Sequence, residues 1–196
     1  MDRYRTIRTL AEGTYSEKRS KFLAFAMPVR SVEEVKQLVG EYQKKYYDAR
    51  HVCYAYMLGA ERKDFRANDN GEPSGTAGRP IHGQLLSKDL TNTLVIVVRY
   101  FGGIKLGVSG LINAYKTAAK DALDAATIIE KTVDETYKVS FDYSVMNSVM
   151  QLLKDPYVSI LGQGYEDRYL ISFKIRRREA DRIVTALKKI NTVTVE

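Results

Sequence analysis

The run "NTLVIVVRYF", Asn92 to Phe101, sets β-branched and aliphatic residues side by side with no polar alternation before Arg99, the pattern of a buried strand. It leads directly into "RYFGGIKLGVSGLINAY", where Gly102, Gly103, Gly107 and Gly110 surround Lys105 and Ser109. Beyond them Leu111, Ala114, Tyr115, Ala118, Ala122 and Leu123 recur at helical spacing. A stripe of mostly small residues lets such a helix lie close against a sheet. Strand, glycine turn and close-packed helix therefore form the unit around which the rest of the chain has to fold.

Upstream, "YRTIRTL" and "KFLAFAMPV" read as short strands joined by a polar turn, "AEGTYSEKRS". In "SVEEVKQLVGEYQKKYY", Ser31 and Glu34 make a capping box, and Val35, Leu38, Val39 and Tyr42 mark a helix face. "HVCYAYMLG" reads as a strand and "AERKDFRANDNGEPSG" as a long polar loop, a length that usually binds something or is disordered. Then "TAGRPIHGQLLSKD" suggests a short helix capped by Ser74 or Thr76. From about Thr136 the pattern becomes β-α-β-β-α-β, with a hairpin expected around Gly162 to Asp167. The polar stretch "EKTVDE", Glu130 to Glu135, separates the two patterns. The expected class is α+β, with domains at 1–132 and 133–196.

The net charge of +7 favours polyanionic partners such as RNA or nucleotides. No apolar run approaches the roughly 20 residues that cross a bilayer, and the N-terminus lacks a signal-peptide core, so the expected location is cytoplasmic with no membrane contact. One cysteine, Cys53, excludes an internal disulfide framework, and with His51 and His82 it is too little for a zinc cage. No metal or cofactor is expected.

Glycines at 102, 103 and 107 allow positive φ and close approach of a ligand. A helix starting near Leu106 or Val108 would turn its free N–H groups and positive dipole end toward the same gap. With Lys105 and Arg99 beside it, this describes an anion site. The spacing matches neither a Walker A loop, a dinucleotide loop nor a nucleophile elbow. In "NDNGEPSGTAGRP", Asp69, Glu72, Ser74, Thr76 and Arg79 crowd into a second glycine-rich segment. The two segments are expected to converge, so the expected ligand set is Asp69, Glu72, Ser74, Thr76, Arg79, Arg99, Gly102, Gly103, Lys105, Gly107 and Ser109. No catalytic residue is assigned. His51 and Cys53 share a strand face, and no acid marks the histidine for catalysis, so both read as packed strand residues.

These two segments resemble the IMPACT/YigZ family: Asp69 to Pro80 matches its Gly-Glu-Pro-Ser-Gly-Thr-Ala-Gly loop, and Arg99 to Gly107 its Arg-Tyr-Phe-Gly-Gly-x-Lys-Leu-Gly block. "DARHVCYAY", Asp48 to Tyr56, resembles the family's His/Cys strand. Departures fall at Asn70, Ser109 and Asn113, where relatives more often carry an acid, a glycine and an arginine. The resemblance implies an N-terminal domain like the second domain of ribosomal protein S5 and a C-terminal ferredoxin-like domain similar to the last domain of elongation factor G. It also implies relatives that regulate translation through a protein partner.

The leading expectation is a non-enzymatic, nucleic-acid-binding or translation-associated regulatory protein with RNA or the ribosome as partner. On the C-terminal sheet Tyr137, Val139, Phe141, Tyr169, Ile171, Phe173 and Ile175 share the core parity. Lys138, Lys174 and Arg176 lie on the other, a basic face suited to phosphate contacts without base reading. The alternatives are a small-molecule phosphotransferase, with Asp69 or Glu72 holding magnesium, and a protein-binding adaptor.

Overall fold

The apolar run forms β6 (Thr93–Tyr100), the middle strand of a five-stranded antiparallel sheet. The order is β2 (Ala11–Glu17), β3 (Ser20–Pro28), β6, β4 (His51–Leu58), β5 (Asp64–Asn68). The computed structural model describes residues 2–196. Both faces of β6 are covered, which is why it carries no alternation. Leu94, Ile96 and Val98 pack with Val35 and Val39 of α1 (Val32–Lys45). Val95 and Val97 pack with Ile81 and Leu85 of α2 (Gly78–Ser87) and with Ala114, Tyr115 and Ala118 of α3 (Gly107–Ala125). Two further strands, β1 (Arg3–Ile7) and β7 (Ile128–Thr132), make a separate two-stranded sheet.

The chain divides into two compact units. One is Tyr4–Lys131; the other is Thr132–Glu196 with Asp2 and Arg3. The second unit runs β8 (Asp134–Phe141), α4 (Met146–Leu153), β9 (Val158–Tyr165), β10 (Tyr169–Arg176), α5 (Arg177–Lys188), β11 (Thr194–Val195). Its sheet order is β11-β8-β10-β9, all antiparallel. Val139, Phe141, Ile171, Phe173 and Ile175 pack with Val149, Leu153, Ala180, Ile183 and Leu187 of the helices. The molecule is thus mixed α+β.

Four local expectations change. The "polar turn" 11–20 is mostly strand β2, with only Lys18 and Arg19 in the turn, both at positive φ. Polar residues disguise it, and Gly13 is there for packing: a Cβ would fall 2.2 Å from the backbone nitrogen of Ala122 on α3. The long loop contains β5, an exposed edge strand paired with β4, so it lacks an apolar pattern. The start of α2 is capped by neither Ser74 nor Thr76; the Thr76 hydroxyl donates to the Pro73 carbonyl at 2.6 Å. Finally, Gly162 and Gly164 lie within β9, and the hairpin turns at 166–168.

Candidate anion site in the N-terminal unit

Arg99, next to last in β6, lies on the face that carries Val95 and Val97, so the strand register drives its guanidinium to the α2 and α3 side of the sheet, 7% exposed. A buried cation requires a counter-charge. Glu72, 3% exposed, supplies it from the loop after β5: Arg99 Nη1 donates to Glu72 Oε1 at 2.6 Å. The Tyr115 hydroxyl of α3 donates to the same oxygen at 2.7 Å. The guanidinium lies over the rings of Phe22 and Phe101, at 5.6 and 5.5 Å, and its Nε has no hydrogen-bond partner among the described residues.

Cys53 on β4 stands behind this pair. Its sulfur is 2.9 Å from the Asp69 carbonyl and 3.4 Å from the Tyr115 hydroxyl. Burial pushes the thiol up to about 12, with nearby Glu72 and Asp69 acting in the same direction, so it is a neutral packing group. Burial raises Tyr115 as well, reinforced by Cys53 and Glu72.

His51 pairs directly across from Arg99 in the ladder. Its Nδ1 lies 2.8 Å from the Asn70 carbonyl, which only accepts, so Nδ1 carries a proton. In the neutral ring Nε2 keeps its lone pair, 3.8 Å from Glu72 Oε2 and beyond hydrogen-bond distance.

The loop between β5 and α2 is held by Asp69. Its Oδ2 accepts from the Gly75 N–H at 2.8 Å, and its Oδ1 from those of Ala77 at 3.0 Å and Gly78 at 2.8 Å. Burial alone would raise this carboxyl; the three backbone donors and Arg79 outweigh it and hold it below the ordinary value. Asn70 Oδ1 accepts from the Val52 N–H at 2.9 Å and ties the loop to β4. Both oxygens of Asp69 are engaged by backbone donors of the loop it holds.

A cavity of about 480 Å³ opens where these pieces meet. Arg50 and His51, Gly71 to Pro73, and Arg99, Phe101, Lys105, Gly107 and Val108 line it. The two glycine-rich segments therefore share one cavity. Gly107, at φ +75°, opens α3 with no capping side chain and no acid in the first turn, so the N–H groups of that turn are free of side-chain acceptors. Lys105 and Arg50 are exposed and have no ion-pair partner among the described residues.

Of the residues singled out from sequence, Glu72, Arg99, Lys105 and Gly107 line the cavity. Asp69, Ser74, Thr76, Arg79, Gly102, Gly103 and Ser109 do not. Asp69 and Thr76 fix the loop, and Ser74 is exposed. Arg79 lies in the first turn of α2, Ser109 in that of α3, and Gly103 has φ +88°. Gly102 serves a backbone contact, since a Cβ there would sit 2.1 Å from the carbonyl carbon of Arg19. Sequence reasoning set His51, Cys53 and Tyr115 aside as packing and passed over Arg50. The available signal was Arg99 itself: a cation near the end of a buried strand demands an acid and donors around it.

On the second unit the basic face is largely neutralised. Lys174 Nζ lies 3.2 Å from Asp134 Oδ2, and Arg176 pairs with Asp2 through Nε at 2.7 Å and through Nη2. Lys138 is the exposed cation of the three with no such partner among the described residues. The sequence pattern shows parity along each strand; it does not show which acids end beside these cations. No helix among the described residues is long and apolar enough to cross a membrane.

Fold and cavity define an α+β protein with a buried arginine–glutamate pair beneath an uncapped helix start. The Impact N-terminal domain family matches residues 18–123, the span that holds every residue lining this cavity. The chain is 33% identical to IMPACT family member YvyE of Bacillus subtilis (strain 168) over 152 residues, 78% of this chain and 70% of that protein. It is 33% identical to IMPACT family member YigZ of Escherichia coli (strain K12) over 151 residues, 76% and 74%. A crystal structure of a hypothetical protein, 27% identical, superposes with a TM-score of 0.77 over 100% of this chain and 97% of its own. The chain belongs to the IMPACT family.

Proposed function

We propose that this chain is a cytoplasmic, translation-associated regulatory protein that holds RNA or a ribosomal particle through an anion site in its N-terminal unit. Family membership supports the translation role. The observation that carries the anion site is the cavity at the start of α3, where uncapped N–H groups, Lys105 and Arg50 meet with no acid in the helix's first turn. Charge supports the same unit: Tyr4–Lys131 holds 20 of the 31 Lys and Arg and 14 of the 24 Asp and Glu, so it carries most of the excess. We assign this unit as S5 domain 2-like and 133–196 as ferredoxin-like, similar to the last domain of elongation factor G; the strand order β11-β8-β10-β9 supports the latter.

Binding of RNA and of inorganic phosphate, followed by titration at several salt concentrations, tests the reading. Lys105→Ala should weaken both, by about tenfold to a hundredfold for one charge-assisted contact. Wild-type protein that binds no RNA, ribosomal particle or phosphate at low salt would remove it. Reproducible magnesium-dependent ATP turnover by the wild-type chain would favour a phosphotransferase. A protein-binding adaptor is the second reading, favoured by the exposed rings of Tyr143 and Tyr165 on the second unit.

A further inference from the structure

The cavity beside Arg99 holds acceptors as well as donors, and a bare anion has no use for acceptors. His51, 12% exposed, is fixed by its Nδ1 contact to the Asn70 carbonyl, which in the neutral ring leaves Nε2 as an acceptor. Glu72 is 3% exposed, yet only its Oε1 is taken by Arg99 and Tyr115; Oε2 is 3.8 Å from His51 Nε2. Both residues line the same cavity as Lys105 and the start of α3. An unpaired carboxylate oxygen next to a histidine lone pair repels a phosphate and accepts from a hydroxyl.

We propose that the cavity binds a ribonucleotide phosphate, with the phosphate at the start of α3 and Lys105 and the ribose 2′-hydroxyl donating to His51 Nε2. The inference rests on the anion-site reading above. The cavity volume suits one nucleotide-sized ligand. Phe101, 42% exposed, offers a ring for stacking. The β2–β3 turn packs its backbone on Gly102, which places the exposed cations Lys18 and Arg19 beside the segment that lines the cavity. The 2′-hydroxyl is the group by which a protein tells RNA from DNA, so the site has a built-in sugar preference. A free ribonucleotide and the terminal nucleotide of an RNA present the same chemistry.

Calorimetric titration of the full chain with adenosine 5′-monophosphate, its 2′-deoxy analogue and inorganic phosphate tests this. A second arm uses matched 5′-phosphorylated short RNA and DNA. The ribose form should bind about tenfold more tightly than the deoxy form, the worth of one hydrogen bond to such an acceptor. His51→Asn should erase that difference, because asparagine keeps a donor for the Asn70 carbonyl and has no atom at the Nε2 position. RNA binding more tightly than the mononucleotide, with the gain lost in Lys18→Glu/Arg19→Glu, identifies an RNA end as the source. Equal affinities for RNA and mononucleotide identify the free nucleotide. Equal affinities for ribose and deoxyribose forms, or a preference untouched by His51→Asn, overturn the inference and leave the anion site standing. Absence of binding by every phosphate compound, inorganic phosphate included, overturns the anion site and this inference with it.

Discussion

Arg99 and Glu72 are stable only as a pair. Glu72→Gln strands a buried guanidinium, and urea unfolding should show a loss of about 3–5 kcal/mol. Tyr115→Phe removes one of two donors to Glu72 Oε1 and should cost about 1–2 kcal/mol. A Glu72→Gln loss no larger than that of Tyr115→Phe would contradict the pairing. Cys53 gives a chemical readout of the same cluster. With its thiol pushed up to about 12, it should resist iodoacetamide at pH 8 in the folded protein and react once urea unfolds the chain. The sign of the pH effect follows: the folded state favours the protonated thiol, so its contribution is intact below the ordinary value of 9.0 and is lost as pH rises toward 12. None of this was legible one residue at a time, because burial of a charge depends on neighbours far along the chain.

Asp69 acts on an element, since its side chain accepts from the Ala77 and Gly78 N–H groups at the start of α2 and from that of Gly75 just before it. Asp69→Ala should destabilise by about 2 kcal/mol or more, whereas Ser74→Ala should stay within about 0.5 kcal/mol. Equal losses would return the cap to Ser74. Because Asp69 is held below the ordinary carboxyl value of 3.8, its contribution is full above that value and disappears as pH falls through the lowered one. An acid titration of stability in wild type and Asp69→Ala should therefore differ in that window. The helices α1 and α3, with strong periodicity, and β6, with its unbroken apolar run, were legible. The edge strands β2 and β5 were not, because half-exposed strands are built from the same polar residues as loops. Gly13 shows the cost of that ambiguity: as a turn residue it tolerates change, but on β2 its Cβ would meet α3, and Gly13→Ala should lower the melting temperature by several degrees.

Across the molecule, charge and surface separate. The excess of cations belongs to Tyr4–Lys131, while Lys174 and Arg176 of the second unit spend their charge on Asp134 and Asp2. If the N-terminal unit holds the polyanion, reversing Lys18 and Arg19 should lower the salt slope of single-stranded RNA binding by about 1.4, near 0.7 for each lost contact. Lys138→Glu/Lys174→Glu should change it far less; the opposite ranking would return the interface to the second sheet. The sequence by itself determined what local spacing and composition encode: the buried strand, the helix faces, the core parity of β8 and β10 and the two glycine segments with their family resemblance. Only the tertiary structure decided which carboxylate meets which cation. Glu72 reaches Arg99 across 27 residues and Asp2 reaches Arg176 across 174, and a pairing made by folding leaves no periodic trace in the chain.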